Sequence, residues 1–86
     1  MSPEEIEKRC QEAVSQIGNK TLDASVMIIA GLEYDLHEWI HEGQENTEQL
    51  GHAIGQCYAA LKMLAIYTGV KPEDIESGTM EVLSYQ

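Results

Sequence analysis

Apolar positions recur at helical spacing along almost the whole chain, and only three short stretches, around 18–19, 43–46 and 69–72, break the pattern. Ile6, Cys10, Ala13 and Ile17 form one narrow stripe, which predicts a first helix lying on a surface. Ser2 suits its N-cap, Pro3 its first helical position, and Glu5 the place from which a capping-box glutamate reaches back. Gly18 and Asn19, which tolerate the left-handed conformation of a C-cap, end it. A second helix is expected to open at Thr21 or Asp23 and run to Glu42, with Gly43 as its stop. Leu22, Ile28, Ile29, Leu32, Leu36, Trp39 and Ile40 fall within one broad arc of it, and Asp35, Glu38 and Glu42 form an acidic flank beside that arc.

Asn46 or Thr47 caps a third helix over about 48–68. A connection as short as 43–46 between two long helices implies an antiparallel hairpin. Leu50, Ile54, Cys57, Leu61 and Leu64 alternate four- and three-residue steps, the spacing of a bundle seam. Between Cys57 and Val70 only Lys62 is charged, and a helix apolar nearly all round must be buried nearly all round. One partner helix and the thin stripe of the first helix cannot cover it. The expectation is a homodimer with Leu50, Ile54, Cys57, Leu61 and Leu64 in the dimer core. Gly31, and the row Gly51, Gly55 and Ala59, mark places where another backbone is expected to come close. Pro72 starts a short fourth helix with Glu73 and Asp74 on its positive end. Ile75, Met80, Val82 and Leu83 are expected to fold back on the core, with Gly78 interrupting the helix. The fold class is therefore all-α: an antiparallel helical hairpin with short N- and C-terminal helices, dimerising into a four-helix-bundle core, in one domain over 1–86.

Length sharpens the dimer argument, because 86 residues lie near the lower limit for a self-sufficient core. Cys10 and Cys57 are too few and too distant for a disulfide framework and read as buried free thiols. No basic segment followed by an apolar one suggests a signal peptide, and no window is apolar enough to span a bilayer. The expected setting is a reducing cytoplasm, bacterial or, for a phage-encoded chain, that of the host. The formal net charge of −10 excludes direct nucleic-acid binding and attraction to anionic lipid through a general field. It leaves three uses for the carboxylates: holding Mg²⁺, steering toward a basic protein, or keeping the chain dissolved.

The chemistry-bearing residues concentrate in 32–43, which holds His37, His41 and the single Trp39. His37-Glu38-Trp39-Ile40-His41 is a literal His-Glu-x-x-His, in which two histidines one helical turn apart would share zinc and Glu38 would activate a bound water. Asp35 and Glu42 flank it where such helices usually carry uncharged residues, and His52 would have to serve as third ligand from the next helix. No sheet is available to hold a peptide substrate, so Zn²⁺ is not expected.

A second pattern covers more of the chain. Ala65-Ile66-Tyr67-Thr68-Gly69-Val70-Lys71-Pro72-Glu73-Asp74-Ile75 follows a helix that opens Gln49-Leu50-Gly51-His52, preceded by Leu32, Asp35 and Glu38. Over about 24–75 this resembles the MazG-like, all-helical nucleoside triphosphate pyrophosphohydrolases. The resemblance implies a Mg²⁺ site in which several carboxylates grip a triphosphate and activate water. Here the family's first glutamate is Leu32, and the acidic pair that opens the next helix is Gln49 and His52. Only Asp35 and Glu38 remain of the metal carboxylates, with Glu33, Glu42, Glu45 or Glu48 as stand-ins. Gln49 is neutral and His52 is a poor ligand for hard Mg²⁺, so the resemblance implies a retained scaffold with hydrolysis lost.

The reading favoured by the residues is a non-enzymatic binding protein, of the kind phages and bacteria use as inhibitors or accessory factors, with no cofactor. Asp35, Glu38, Glu42, Glu45 and Glu48 would face a basic protein partner, and Tyr34, off the apolar arc, would anchor the contact. Trp39 falls on the arc and reads as core.

Overall fold

The computed structural model describes residues 1–85 and is all-helical: α1 (Pro3–Ile17), α2 (Lys20–His41), α3 (Thr47–Thr68) and α4 (Pro72–Leu83). Local chemistry accounts for most of the boundaries. The Ser2 hydroxyl accepts the Glu5 N–H at 3.1 Å, and Pro3 follows at the first helical position. Glu5 does not reach back to the cap; its carboxylate pairs with Arg9 one turn ahead at 3.0 Å. The Asn46 side chain accepts the Gln49 N–H at 3.0 Å and so caps α3, and left-handed Gly69 closes that helix.

α2 starts earlier than its capping residues suggested. Gly18, at φ 57°, turns the chain so tightly that α2 begins at Lys20 with no side-chain cap. Thr21 lies inside the helix and is fully buried, with its hydroxyl unpartnered.

α2 packs along α3, α1 packs on α3 with a lighter touch on α2, and α4 packs on none of them. Two side-chain links set the α2–α3 register. Gln49 donates to Asp35 at 3.2 Å near one end, and the Cys57 thiol donates to the Ile28 carbonyl at 3.7 Å further along. The buried core is made of small groups: Ala53, Cys57 and Ala60 on α3, Thr21 and Ser25 on α2, and Cys10 on α1. Lys62 of α3 reaches Glu7 of α1 at 2.7 Å, with both side chains about two-fifths exposed, which makes this a modest tie.

The broad apolar arc of α2 divides into two stripes. The inner one carries Ala24, Ile28, Leu32 and Trp39, buried or half-buried, and continues through the polar Thr21 and Ser25. The outer one, one residue further on, carries Leu22, Val26, Ile29, Leu36 and Ile40, all exposed. α3 divides in the same way. Cys57 is buried and Leu50 and Leu64 are half-buried within the chain, whereas Ile54 and Leu61 face solvent beside Tyr58. The set Leu50, Ile54, Cys57, Leu61 and Leu64 is therefore covered unequally within one chain, with Cys57 buried against α2.

A Cβ added at Gly31, Gly51 or Gly55 would meet nothing within 4 Å, so a backbone that approaches those glycines would have to come from outside this chain. One expectation is corrected. Ile75, Met80, Val82 and Leu83 do not fold back on the core; all are at least half exposed, and α4 runs unbroken through Gly78. The cause lies in the hinge. Proline disfavours helical backbone in the residue before it, and Lys71 is extended at φ −77°, ψ 137°, which points α4 away from α3.

Among the described residues no helix is long and apolar enough to cross a membrane. The radius of gyration, 14.6 Å, exceeds the roughly 12 Å of a compact chain this long.

Because nothing contacts Gly31, Gly31→Ala is expected to stabilise the protein by about 0.5–1 kcal/mol through helix propensity and chain entropy. Thermal or urea unfolding of the two proteins measures it; a loss of stability instead would mean that another chain approaches there.

Candidate acidic site at the α2–α3 turn

The site is built on the end of α2 and the start of α3. α2 stops with Gly43 at φ 85°, and the Gln44 N–H returns to the Trp39 carbonyl at 2.8 Å, a Schellman-type ending. Gln44 itself is held at φ 66°, which is unusual outside glycine. This turn carries the chain into the Asn46 cap and sets the last two turns of α2 against the first turn of α3.

Asp35, Glu38 and Trp39 of α2 and its C-cap Glu42, with Asn46, Gln49 and Leu50, line a cleft of about 120 Å³. A chain of hydrogen bonds fixes its α3 side. The Asn46 amide donates to the Gln49 side-chain carbonyl at 2.7 Å, and the Gln49 amide donates to Asp35 at 3.2 Å. Both ends of the Gln49 carboxamide are therefore used, and Asp35 receives a neutral donor where an acidic residue would have repelled it.

Glu38 is the centre of the charge. It pushes Glu42 above the usual carboxylate range, first by a shared hydrogen bond and then by its negative charge, with a smaller push from Glu45. It pushes the Tyr34 phenol up in the same way, with smaller contributions from Asp35 and Glu42. No base neutralises this group, since the two ion pairs among the described residues use Glu5 and Glu7 of α1. The Trp39 indole N–H is buried with no acceptor.

The predicted site residues thus fall into three sets. Asp35, Glu38 and Glu42 come together in the cleft, with Tyr34 and Glu45 in electrostatic reach. Glu48 and His52 line a separate shallow depression with Asn46 and Gln49. His37 and His41 are exposed and line neither. Among the described residues no group of three or more His, Cys, Asp or Glu side chains is arranged to hold a metal. Asn46 and Leu50 were not expected in the site. The Asn-x-x-Gln spacing of 46–49 is a variant of the capping box and is the signal that could have placed Asn46 there.

Comparison with known protein families, with curated proteins and with solved structures finds no match for this chain.

The raised Glu42 has a readable consequence. A carboxyl that binds its proton more tightly when folded adds stability at acid pH and loses it as pH rises through its folded pKa. Glu42→Gln removes that loss. Its melting temperature is expected to exceed the parent's at about pH 7 and to vary less between about pH 4 and pH 7. Melting curves across that range check it, and an unchanged slope would show that Glu38 and Glu42 do not crowd each other.

Proposed function

We propose that this chain is a non-enzymatic acidic binding protein that docks on a basic surface of another protein, as an inhibitor or accessory factor would. The observation that supports it best is Gln49. Its amide meets Asp35 directly, so the junction of the two helices is satisfied by a neutral donor and does not call for a cation. The remaining carboxylates, Glu38, Glu42 and Glu45, are left to interact with something outside the chain, with Tyr34, 65% exposed, beside them as an aromatic anchor. Contacts of this kind mainly speed association and weaken with salt. The setting that fits this role is a bacterial cytoplasm or, for a phage-encoded protein, that of its host; no cofactor, nucleic acid or membrane enters.

The same proposal takes the scaffold as an antiparallel hairpin of α2 and α3 that pairs with a second copy in a four-helix core. The links Asp35–Gln49 and Ile28–Cys57 support the hairpin, because contacts on α3 advance as those on α2 retreat. Between two helices opposed in this way, one step forward from each inner stripe turns both outer stripes to the same side. Val26, Ile29 and Leu36 then lie next to Ile54, Tyr58 and Leu61 on one apolar face.

A second reading, a MazG-like pyrophosphohydrolase or nucleotide-binding relative using Mg²⁺, is supported by the cleft itself. Asp35 and Glu38 lie opposite Gln49, the positions on which the sequence resemblance rests.

Two measurements separate the readings. Immobilised protein is expected to retain a specific basic partner at about 0.05 M salt and release it near 1 M. The triple variant Asp35→Asn, Glu38→Gln, Glu42→Gln is expected to retain about tenfold less. Capture indifferent to both salt and variant would remove charge as the basis of docking. Pyrophosphate release from deoxynucleoside triphosphates with Mg²⁺ or Mn²⁺, lost in Asp35→Ala or Glu38→Ala, would put the second reading in place of the first.

A further inference from the structure

α4 is a helix of 12 residues that packs on no other helix of its chain. A helix this short is marginal in water on its own, so its order requires a surface to lie on. It carries a suitable face: Ile75, Thr79, Val82 and Leu83 share one side, and Val82 is 64% exposed. Glu73, Asp74 and Glu81 lie on the other side.

A matching surface lies at the elbow between α3 and α4. Leu61, Leu64, Ala65, Thr68, Val70 and Ile75 line an open groove of about 390 Å³ that is almost wholly apolar. Its one hydroxyl, on Thr68, donates to the Leu64 carbonyl at 2.8 Å. The Thr79 hydroxyl of α4 likewise donates to the Ile75 carbonyl at 2.9 Å. Both threonines therefore offer methyl groups, and covering them leaves no polar atom unpaired.

Ile75, at the base of the arm, forms one wall of its own groove, and the rest of the arm leaves the groove open. Only Gly69, Val70 and Lys71 separate the two helices, and the proline after Lys71 holds that residue extended. A short, stiff hinge between an arm and its groove is the arrangement that favours exchange between copies. A second copy supplies one arm and one groove by a single two-fold operation.

The exposed area is what such an exchange requires. The chain exposes 6824 Å², against about 5,100 Å² for a compact monomer of its 9.6 kDa. The excess, roughly 1,700 Å², is about twice the roughly 800 Å² that each partner buries in a standard stable interface.

We infer that the occupant of the α3–α4 groove is α4 of a second copy of this chain, so that the two copies exchange their C-terminal helices. The inference rests on the homodimer proposed above and adds to it the element that locks the two copies together.

The test uses the full chain. Sedimentation gives the mass, and an equimolar mixture of ¹³C-labelled and unlabelled protein, unfolded and refolded together, gives isotope-filtered NOEs. A dimer with intermolecular NOEs from Val82 and Leu83 methyls to Leu61 and Leu64 is expected. Val82→Asp is expected to raise the dimer dissociation constant about tenfold or more. Two glycines inserted after Val70, which free the hinge, are expected to shift the population toward monomer, with the same NOEs now intramolecular. A dimer whose α4 shows only intramolecular NOEs, or none to α3, would overturn the exchange and leave the homodimer standing. A monomer at tens of micromolar would overturn both.

Discussion

The fold depends on close packing between small side chains. The buried positions are Ala53, Cys57 and Ala60 on α3 and Thr21 and Ser25 on α2, the Cys57 thiol meets the Ile28 carbonyl, and Ala60 is the most completely buried apolar residue among those described. Small groups let two helices approach, but they bury little apolar area per residue. The large aliphatic side chains are consequently displaced to the next stripe on each helix, where the chain itself has nothing to cover them. That one trade accounts for the open shape, the exposed Val26 and Leu61, and the dependence on a second copy proposed above.

The same interface explains what the sequence shows and what it hides. Helix type and extent were legible because caps and stops are local: Ser2, Pro3, Asn46, Gly69 and Pro72 act through their own turn. Choosing the inner stripe was not legible. Thr21 and Ser25 are polar, so a hydrophobic pattern passes over them, while Leu22, Ile29 and Ile40 draw the arc toward the outside. Helical periodicity finds an apolar surface but does not say which molecule covers it. The destination of α4 failed for a related reason. Its apolar face was visible, but its direction is set by the backbone of Lys71, which no side-chain pattern reports.

At the acidic end, the spacing of Asp35, Glu38 and Glu42 was legible because a helix places such residues on one flank, and the structure brings all three into one cleft. The part played by Gln49 was not. It depends on the turn after Gly43 setting α3 against α2, and on Asn46 holding the carboxamide in one orientation. His37 and His41 show the limit of a short motif: helical spacing alone puts them a turn apart, and nothing converges on them.

The two thiols add a consequence of another kind. Cys10 sits in the α1 contact, and Cys57 sits between α3 and the Ile28 carbonyl, both buried and neither in a disulfide. A thiol must reach solvent and ionise before a reagent can attack it. Alkylation of Cys10 therefore clocks the detachment of α1, while alkylation of Cys57 clocks the separation of α2 from α3. The chain carries its own pair of chemical probes for whether it opens all at once or peels from one side.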